Sequence, residues 1–312
     1  MQGNEEVAVV MSTYNGEEYI IEQLDSLRNQ SRPADEVLIA DDCSTDNTVD
    51  IVRNYIKKNN LTTWKLVVNK QNKGWRRNFM EAMWSTSGDL VFPCDQDDIW
   101  RLDKIEIMTK LMGDNSQIQL LTSNYCEFFE NGKVRTNPWK NDQQLRQIQL
   151  KPNYLLVDSP GCTYCIRRGL LNLSKKYWKS EYPHDALLWR MGLMSNGVYA
   201  YTDDLIRWRN HKKSAFAKES KKLKSVGAKK EWIRISSKFN DESMQKLIKH
   251  DIDGDTSYQQ KVIDKNSNWL SKRMKFYKTG NLLRGVALLS SINCYPRLRQ
   301  YLGDWYLICL KK

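Results

Sequence analysis

The chain has 312 residues, 40% of them hydrophobic, and a formal net charge of +12, so it is long enough for one large domain or two smaller ones with a buried core. No run of about 18 uninterrupted apolar residues occurs, which excludes a hydrophobic transmembrane span. Seven cysteines include a single C-x-x-C, Cys162 and Cys165, beside only three histidines, and this excludes a zinc ribbon and a disulfide scaffold.

Strands and helices alternate over the first 120 residues. Apolar runs predict strands at Val7–Met11, Glu36–Ala40, Trp64–Val68, Leu90–Phe92 and Ile118–Thr122. Amphipathic periodicity predicts helices from Glu17 onward, after a cap at Asp46 or Asn47, around Arg77–Ser85 and over Asp103–Met112. The alternation favours an α/β fold with a doubly wound, mostly parallel sheet and helices on both faces. No leader peptide precedes the first strand, so together with the cysteines we expect a reduced, cytoplasmic protein.

Polar loops follow three of these strands, at Ser12–Gly16, Asp41–Asp46 and Asp95–Asp98. In such sheets ligands bind at the carboxyl ends of the strands. We therefore expect the three loops to meet at one rim, although they are far apart in sequence.

The third loop, Asp95-Gln96-Asp97-Asp98, places three carboxylates in four residues after a buried strand. Such a cluster is costly unless something neutralises it. Mg²⁺ and Mn²⁺ do so well, because they prefer oxygen ligands and also hold phosphates. The alternative is that Asp98 caps a helix starting near Trp100 while the other two acids are solvated.

The pattern is less regular beyond residue 122, and residues 138–157 give no assignment. A hairpin is predicted over Glu127–Val134, with its turn at Asn131-Gly132. Further predicted elements are a strand at Tyr164–Ile166, a helix at Asp185–Met194 and a strand at Val198–Trp208.

A basic run from Arg207 to Lys230 holds ten Lys or Arg and one acid, Glu219. It indicates nucleic acid, an anionic membrane surface or substrate phosphates as a partner, or else a solvated surface segment. We expect the domain boundary near residues 210–230, with residues 1–212 forming one domain and 213–312 a basic, mainly helical C-terminal region.

Taken together, the loops resemble those of family 2 glycosyltransferases of the GT-A type, particularly bacterial rhamnosyltransferase-like members. The resemblance covers roughly residues 7–212. It rests on Met11–Gly16, Asp41–Thr48, Asn72-Lys73-Gly74 with Asn78, Asp95–Trp100, His184-Asp185 and Trp208–His211. It implies an inverting, metal-dependent transfer of a sugar, rhamnose or a hexose, from a nucleotide-sugar to a saccharide acceptor in cell-surface polysaccharide synthesis.

The resemblance also assigns roles to residues on the donor side. The donor would be dTDP-rhamnose or a UDP-sugar, with Mn²⁺ or Mg²⁺ as cofactor. Asp97 and His211 would bind the metal, although a single histidine is as often structural. The remaining donor-binding positions are Thr13, Tyr14, Asp41, Lys73, Asn78 and Asp95.

An inverting transfer needs a general base for the acceptor hydroxyl, and the resemblance gives that role to Asp185. The alternative is that Asp185 only caps its own helix. His184 would orient Asp185, while Gly161, Cys162 and Thr163 would line the acceptor side, where a glycine permits close approach.

Two other functions remain open at this stage. A nucleotidyltransferase also uses carboxylates and a metal, but Ser12–Gly16 lacks the basic residue expected of its phosphate loop. A nucleic-acid-binding module would use the basic run yet leave the clustered acids unexplained, so we expect no nucleic-acid partner.

The C-terminal residues also suggest what the chain contacts. Leu282–Leu289 and Tyr301–Leu310, with Arg284, Arg297 and Arg299 beside them, suggest interfacial helices on an anionic membrane face. The protein would then be peripheral at the inner face of the cell membrane, with a lipid-linked acceptor. Packing of these helices on each other or in a homo-oligomer is equally open.

Overall fold

The computed structural model describes residues 5–136, 139–211 and 225–310. Ten strands of the described residues form one mixed sheet in the order β3-β2-β1-β4-β9-β6-β10-β5, with β7 paired to β6 and β8 to β10. The strands are β1 Val7–Thr13, β2 Glu36–Asp41, β3 Trp64–Val68, β4 Leu90–Asp95, β5 Ile99–Trp100, β6 Leu120–Phe129, β7 Val134–Thr136, β8 Leu145–Gln147, β9 Tyr164–Arg167 and β10 Val198–Asn210.

The first four strands of this order run parallel, as the alternating pattern predicts. Helices connect the strands and flank the sheet. They are α1 Ile20–Arg28, α2 Thr48–Lys58, α3 Trp75–Ser85, α4 Lys104–Asp114, α5 Arg168–Tyr177 and α6 His184–Met194. Val7–Met11 of β1 is wholly buried, as expected for a central strand covered on both faces. The predicted α/β fold class is thereby confirmed, with antiparallel strands β5, β7, β8 and β9 added to the parallel ones.

The structure differs from the sequence prediction just after the acidic loop, Asp95–Asp98. Ile99–Trp100 forms β5, which pairs antiparallel with β10, and the next helix starts only at Lys104. Asp98 is therefore not the cap of a helix near Trp100. The hairpin prediction is confirmed, because Phe128 pairs with Val134 across the turn.

The chain divides into two compact units. The first comprises residues 1–148, 159–192 and 197–210, and the second comprises residues 149–158, 193–196 and 211–312. The basic run falls mostly in residues 212–224, which lie outside the described residues. In the described residues, no helix combines the length and the apolar character needed to cross a membrane.

The second unit is helical, as predicted. Its helices span Val226–Phe239, Gln245–His250, Ser257–Thr279, Leu282–Ala287 and Leu298–Trp305, with π-helical turns at Asn240–Met244 and Tyr306–Leu310 and a 3₁₀ segment at Leu288–Cys294. Arg273 and Asp304 form a buried ion pair at 2.6 Å. Tyr277 and Tyr295 donate hydroxyl hydrogen bonds to the same carboxylate, which compensates the burial of its charge.

Candidate active site

The polar loops begin at adjacent positions of the parallel strands. Thr13 lies opposite Asp41 across β1 and β2, and Ser12 lies opposite Asp95 across β1 and β4. Parallel strands end at the same edge of a sheet, which is where ligands bind in folds of this kind. The first-unit geometry therefore brings these segments to one rim.

The Asp41 carboxylate fixes the end of β2 to the end of β1. It is fully buried and accepts hydrogen bonds from the Thr13 hydroxyl at 2.8 Å and from the Ser44 amide and hydroxyl at 2.8 and 2.6 Å. Thr13 and Asp41 are thus held rigidly at the rim, and their contact with a nucleoside stays a prediction.

Gln96 ties the acidic loop to the loop after β1. The Tyr14 amide donates to Gln96 Oε1 at 2.9 Å, and Gln96 Nε2 donates to the Tyr14 carbonyl at 3.1 Å. A Cβ at Gly16 would meet the amide end of the Gln96 side chain, so the Gln96 amide would have to shift to admit a larger residue there. The Tyr14 ring remains 47% exposed and offers a surface on which a base can stack.

Asp42 organises the loop before α3. Its carboxylate accepts from the backbone amides of Lys73 and Gly74, both at 2.8 Å. The Lys73 ammonium pairs with Glu81 at 2.8 Å. Lys73 therefore reaches a donor phosphate only by exchanging that partner.

Asn78 is buried beneath the rim. Its Nδ2 donates to the Ser12 hydroxyl at 2.8 Å and to the Ala40 carbonyl at 2.7 Å, and its Oδ1 accepts from Asn69 at 2.8 Å. Both donors and the acceptor are occupied by protein groups. The structure gives Asn78 a supporting position below the donor loops, and direct donor binding stays a prediction.

Asp95, Asp98 and Cys162 come together at the end of β4, with candidate ligand atoms within 4.8 Å of one another. Asp98 is fully buried, and its Oδ2 has no hydrogen-bond partner in the described part of the chain. A buried carboxylate oxygen without a partner carries a large free-energy cost. The cluster therefore has the character of a site for a positively charged group.

Electrostatic repulsion within the acidic loop perturbs its acids. Burial, followed by the charge of Asp97, raises the pKa of Asp95 from 3.8 to about 7, and the charge of Asp185 contributes in the same direction. Burial and the charges of Asp97 and Asp95 likewise raise the pKa of Asp98 well above its ordinary value. The carboxylates are therefore close enough to repel one another, which is the situation that a bound cation relieves.

Arg209 clamps the acidic loop from β10, a contact that local sequence pattern does not reveal. Its backbone amide donates to Asp98 Oδ1 at 2.9 Å, and its Nε donates to the Asp97 carbonyl at 2.8 Å. The guanidinium lies over the rings of Tyr19 and Phe128, 4.5 Å from each centroid. It therefore orients the acidic loop.

Gly161, His184 and Asp185 lie together at the start of α6. A Cβ at Gly161 would lie 2.7 Å from His184 Nε2 and 3.1 Å from Asp185 Cβ. His184 is buried against Phe79 with ring centroids 4.3 Å apart, and this burial lowers the pKa of its imidazole. Asp185 Oδ1 accepts from the next backbone amide, that of Ala186, at 2.7 Å.

Cys162 and Thr163, predicted to line the acceptor side, have buried side chains. The Thr163 hydroxyl bonds the Thr122 hydroxyl at 2.7 Å, and the Lys104 ammonium donates to the Cys162 carbonyl at 2.9 Å. Burial raises the pKa of the Cys162 thiol. These positions shape the wall behind Asp95 and Asp98, and their contact with an acceptor stays a prediction.

His211 follows directly on β10 and is buried. It belongs to the second compact unit, whereas the acidic loop belongs to the first. Its role as a metal ligand stays a prediction.

The acids of the loop fit a hard divalent cation. Asp95 and Asp98 place carboxylate oxygens close together, and Mg²⁺ and Mn²⁺ prefer such ligands. The orphaned Oδ2 of Asp98 needs a positive partner. The protonated, soft thiol of Cys162 is a poor ligand for such ions. The fit therefore rests on Asp95 and Asp98, and metal binding by Asp97 stays a prediction.

Comparison with known proteins points to one family. Residues 8–173 match the model of glycosyl transferase family 2. A dTDP-rhamnosyl transferase, RfbG of Shigella flexneri, is 32% identical over 172 residues, which are 54% of this chain and 57% of that protein. The chain thus spans little more than half the length of this curated relative.

Two solved structures are similar in fold. Staphylococcus aureus TarS residues 1–349 in complex with UDP-GlcNAc superpose with a TM-score of 0.64 at 19% identity, covering 96% of this chain and 81% of that one. The mannosyltransferase PcManGT of Pyrobaculum calidifontis, in complex with GDP-Man and Mn²⁺, gives a TM-score of 0.54 at 18% identity, covering 98% and 85%. At these identities the similarity concerns the fold alone.

Proposed function

The chain belongs to glycosyl transferase family 2, and we propose that it is a metal-dependent, inverting glycosyltransferase. It would move a sugar from a nucleotide-sugar to a saccharide acceptor in bacterial cell-surface polysaccharide synthesis. The observation that carries the proposal is the meeting of Asp95 and Asp98 at the rim of the parallel strands, with an unpartnered buried oxygen on Asp98 and with the charge of Asp97 acting on both. The family match favours sugar transfer over nucleotidyl transfer or nucleic-acid binding.

On the donor side, the exposed ring of Tyr14 would stack on the nucleobase and Asp41 would accept a hydrogen bond from its edge. Asp97, with Asp95 and Asp98 beside it, would hold Mn²⁺ or Mg²⁺, whose charge would offset that of the departing nucleoside diphosphate. The solved structures bound to UDP-GlcNAc and to GDP-Man with Mn²⁺ support a nucleotide-sugar and a metal in this fold. The relative named as a dTDP-rhamnosyl transferase makes dTDP-rhamnose the first donor to test, with UDP-sugars next.

On the acceptor side, Asp185 would take the proton from the attacking hydroxyl. Its charge acts on Asp95, so the two carboxylates are neighbours in the same unit. His184 is held by Phe79, and burial lowers the pKa of its imidazole. It would orient Asp185, which would take the proton. The acceptor saccharide itself, lipid-linked or free, is open.

A cytoplasmic location is part of the same proposal. All seven cysteines are free thiols in the structure, which agrees with a reducing compartment.

The test is a screen of dTDP-rhamnose, UDP-glucose and UDP-N-acetylglucosamine for hydrolysis or transfer, with Mn²⁺ or with a chelator. We expect turnover of at least one donor only with metal. Asp185→Asn should keep nucleotide binding while transfer falls by about 10²–10⁴-fold, the usual contribution of a general base. The surface variant Asp50→Asn serves as the control, and unchanged turnover in Asp185→Asn would remove that residue from the base role.

A further inference from the structure

Large exposed apolar side chains are concentrated in one stretch of the second unit. Of fourteen such residues in the described ranges, seven lie between residues 282 and 306. Four belong to the first helix of this stretch and the turn that follows it: Leu282, Leu283, Val286 and Leu289, with Leu283 79% exposed. Packing inside the unit therefore leaves this side of the helix uncovered.

The buried side of the same helix explains why these residues point outward. A Cβ at Gly285 would lie 2.6 Å from Trp305 Cζ2 and 2.9 Å from Phe276 Cε2. The helix thus packs closely on its neighbours along the glycine side. Leu283 and Val286, which are exposed, lie away from that contact.

The second helix of the stretch, Leu298–Trp305, repeats the arrangement. Leu298, Leu302 and Tyr306 are each more than half exposed and are spaced four residues apart, so they share one side of the helix. The opposite side buries Tyr301 and Asp304. The Tyr301 hydroxyl donates to the Gly285 carbonyl at 3.3 Å, so the two helices are adjacent and their exposed residues form what we call the apolar face.

The stretch of sequence that includes the apolar face is predominantly basic. From residue 265 to residue 310 the sequence has eight Lys or Arg and a single acid, Asp304. That acid is buried against Arg273. Seven basic residues therefore remain with no further acid in this stretch, among them Arg284 and Arg299, which lie within the two helices.

We propose that the apolar face docks on the surface of an anionic lipid bilayer. Leucines on adjacent helices would enter the headgroup boundary, while the surrounding Lys and Arg would attract anionic lipids. A second copy of the chain is a poorer occupant, because two such faces would bring like charges together. The proposal does not depend on the reaction that the first unit performs.

The experiment is co-sedimentation of the full chain with vesicles of phosphatidylcholine alone and with increasing phosphatidylglycerol. Binding should appear only with phosphatidylglycerol and weaken as salt is raised. Leu283→Glu and Leu302→Glu should each reduce the partition coefficient by about tenfold or more, because a leucine leaves an apolar environment. Arg299→Ala should reduce it by about fivefold, the contribution of one basic residue near an anionic surface.

The matched control is Leu102→Glu, which changes a leucine of the first unit that is 53% exposed. It should bind vesicles like the parent protein, and unfolding curves should show all variants folded, since each altered side chain is exposed. No binding to phosphatidylglycerol vesicles, or equal losses in Leu102→Glu and Leu283→Glu, would overturn the proposal. Sedimentation velocity tests self-association through the apolar face. If the parent forms dimers that Leu283→Glu abolishes, and does not bind vesicles, the face is assigned to self-association and the membrane proposal is wrong.

Discussion

Replacing Asp95 with asparagine tests whether the acidic loop is built to receive a cation. Asparagine keeps the size of the side chain and removes its charge. In the parent protein, burial and then the charge of Asp97 raise the pKa of Asp95 from 3.8 to about 7. The metal-free protein therefore holds this carboxylate in an environment that disfavours its ionised form.

The sign and size of the effect follow from that shift. Because the pKa is higher in the folded state, the unfolded chain loses the Asp95 proton first as pH rises, and stability falls between pH 3.8 and about 7. At about 1.4 kcal/mol per pH unit, the full loss is about 4 kcal/mol above pH 7. Metal-free Asp95→Asn should thus be more stable than the parent at neutral pH, by up to about that amount, and should lack this pH dependence.

The assay is urea unfolding of both proteins at several pH values, with a chelator and with Mn²⁺. Mn²⁺ at a hundred times its Kd should stabilise the parent by about 2.7 kcal/mol and the variant much less. Asp50→Asn is the control, because Asp50 forms an exposed ion pair with Arg53, worth at most about 1 kcal/mol. A metal-free Asp95→Asn less stable than the parent, or an equal gain from Mn²⁺ in both, would refute the reasoning.

Two further substitutions probe the walls of the site. Gly161→Ala should displace His184 and Asp185 and lower transfer activity while nucleotide binding persists. The control is Gly169→Ala, which should be neutral because an added Cβ meets nothing within 4 Å there. Equal transfer activity in the two variants would contradict the packing assigned to Gly161. Burial lowers the pKa of Lys104 from 10.5 to about 8, so the folded state loses this proton before the unfolded state does. Between pH 8 and 10.5, the free energy of unfolding of the parent should therefore rise by about 1.4 kcal/mol per pH unit relative to that of Lys104→Met. Urea unfolding at pH 7 and above pH 9, in reductant, measures the difference in free energy of unfolding between the parent and Lys104→Met. A difference that does not change with pH would contradict the buried ammonium.

The parallel half of the fold was predictable because its information is local. A buried strand such as Val7–Met11 shows as an unbroken apolar run, and the polar loops that follow each strand must share one edge of a parallel sheet. The acidic loop could therefore be placed at a rim with the ends of β1 and β2 without coordinates. Register between Thr13 and Asp41 then follows from the sheet itself.

The features of the fold and the site that could not be predicted depend on contacts between residues far apart in sequence. Arg209 reaches the acidic loop from β10, 111 residues after Asp98. The pairing of β5 with β10 is equally long-range, and it places a strand where the sequence allowed a helix capped by Asp98. Nor does local pattern indicate that Asn78 is occupied by three protein partners. Residues 138–157 gave no assignment. In the structure they include the short strand β8, and residues 149–158 belong to the second unit.

The central claim is that the acidic loop holds a divalent cation for the diphosphate of a nucleotide-sugar. Calorimetric titration with UDP and dTDP, with Mn²⁺ and with a chelator, tests it most directly. We expect one nucleotide to bind the parent at least about tenfold more tightly with Mn²⁺, or about 1.4 kcal/mol, and Asp97→Asn to lose that difference. Binding of equal strength with and without metal in the parent, or a full metal effect in Asp97→Asn, would contradict the account.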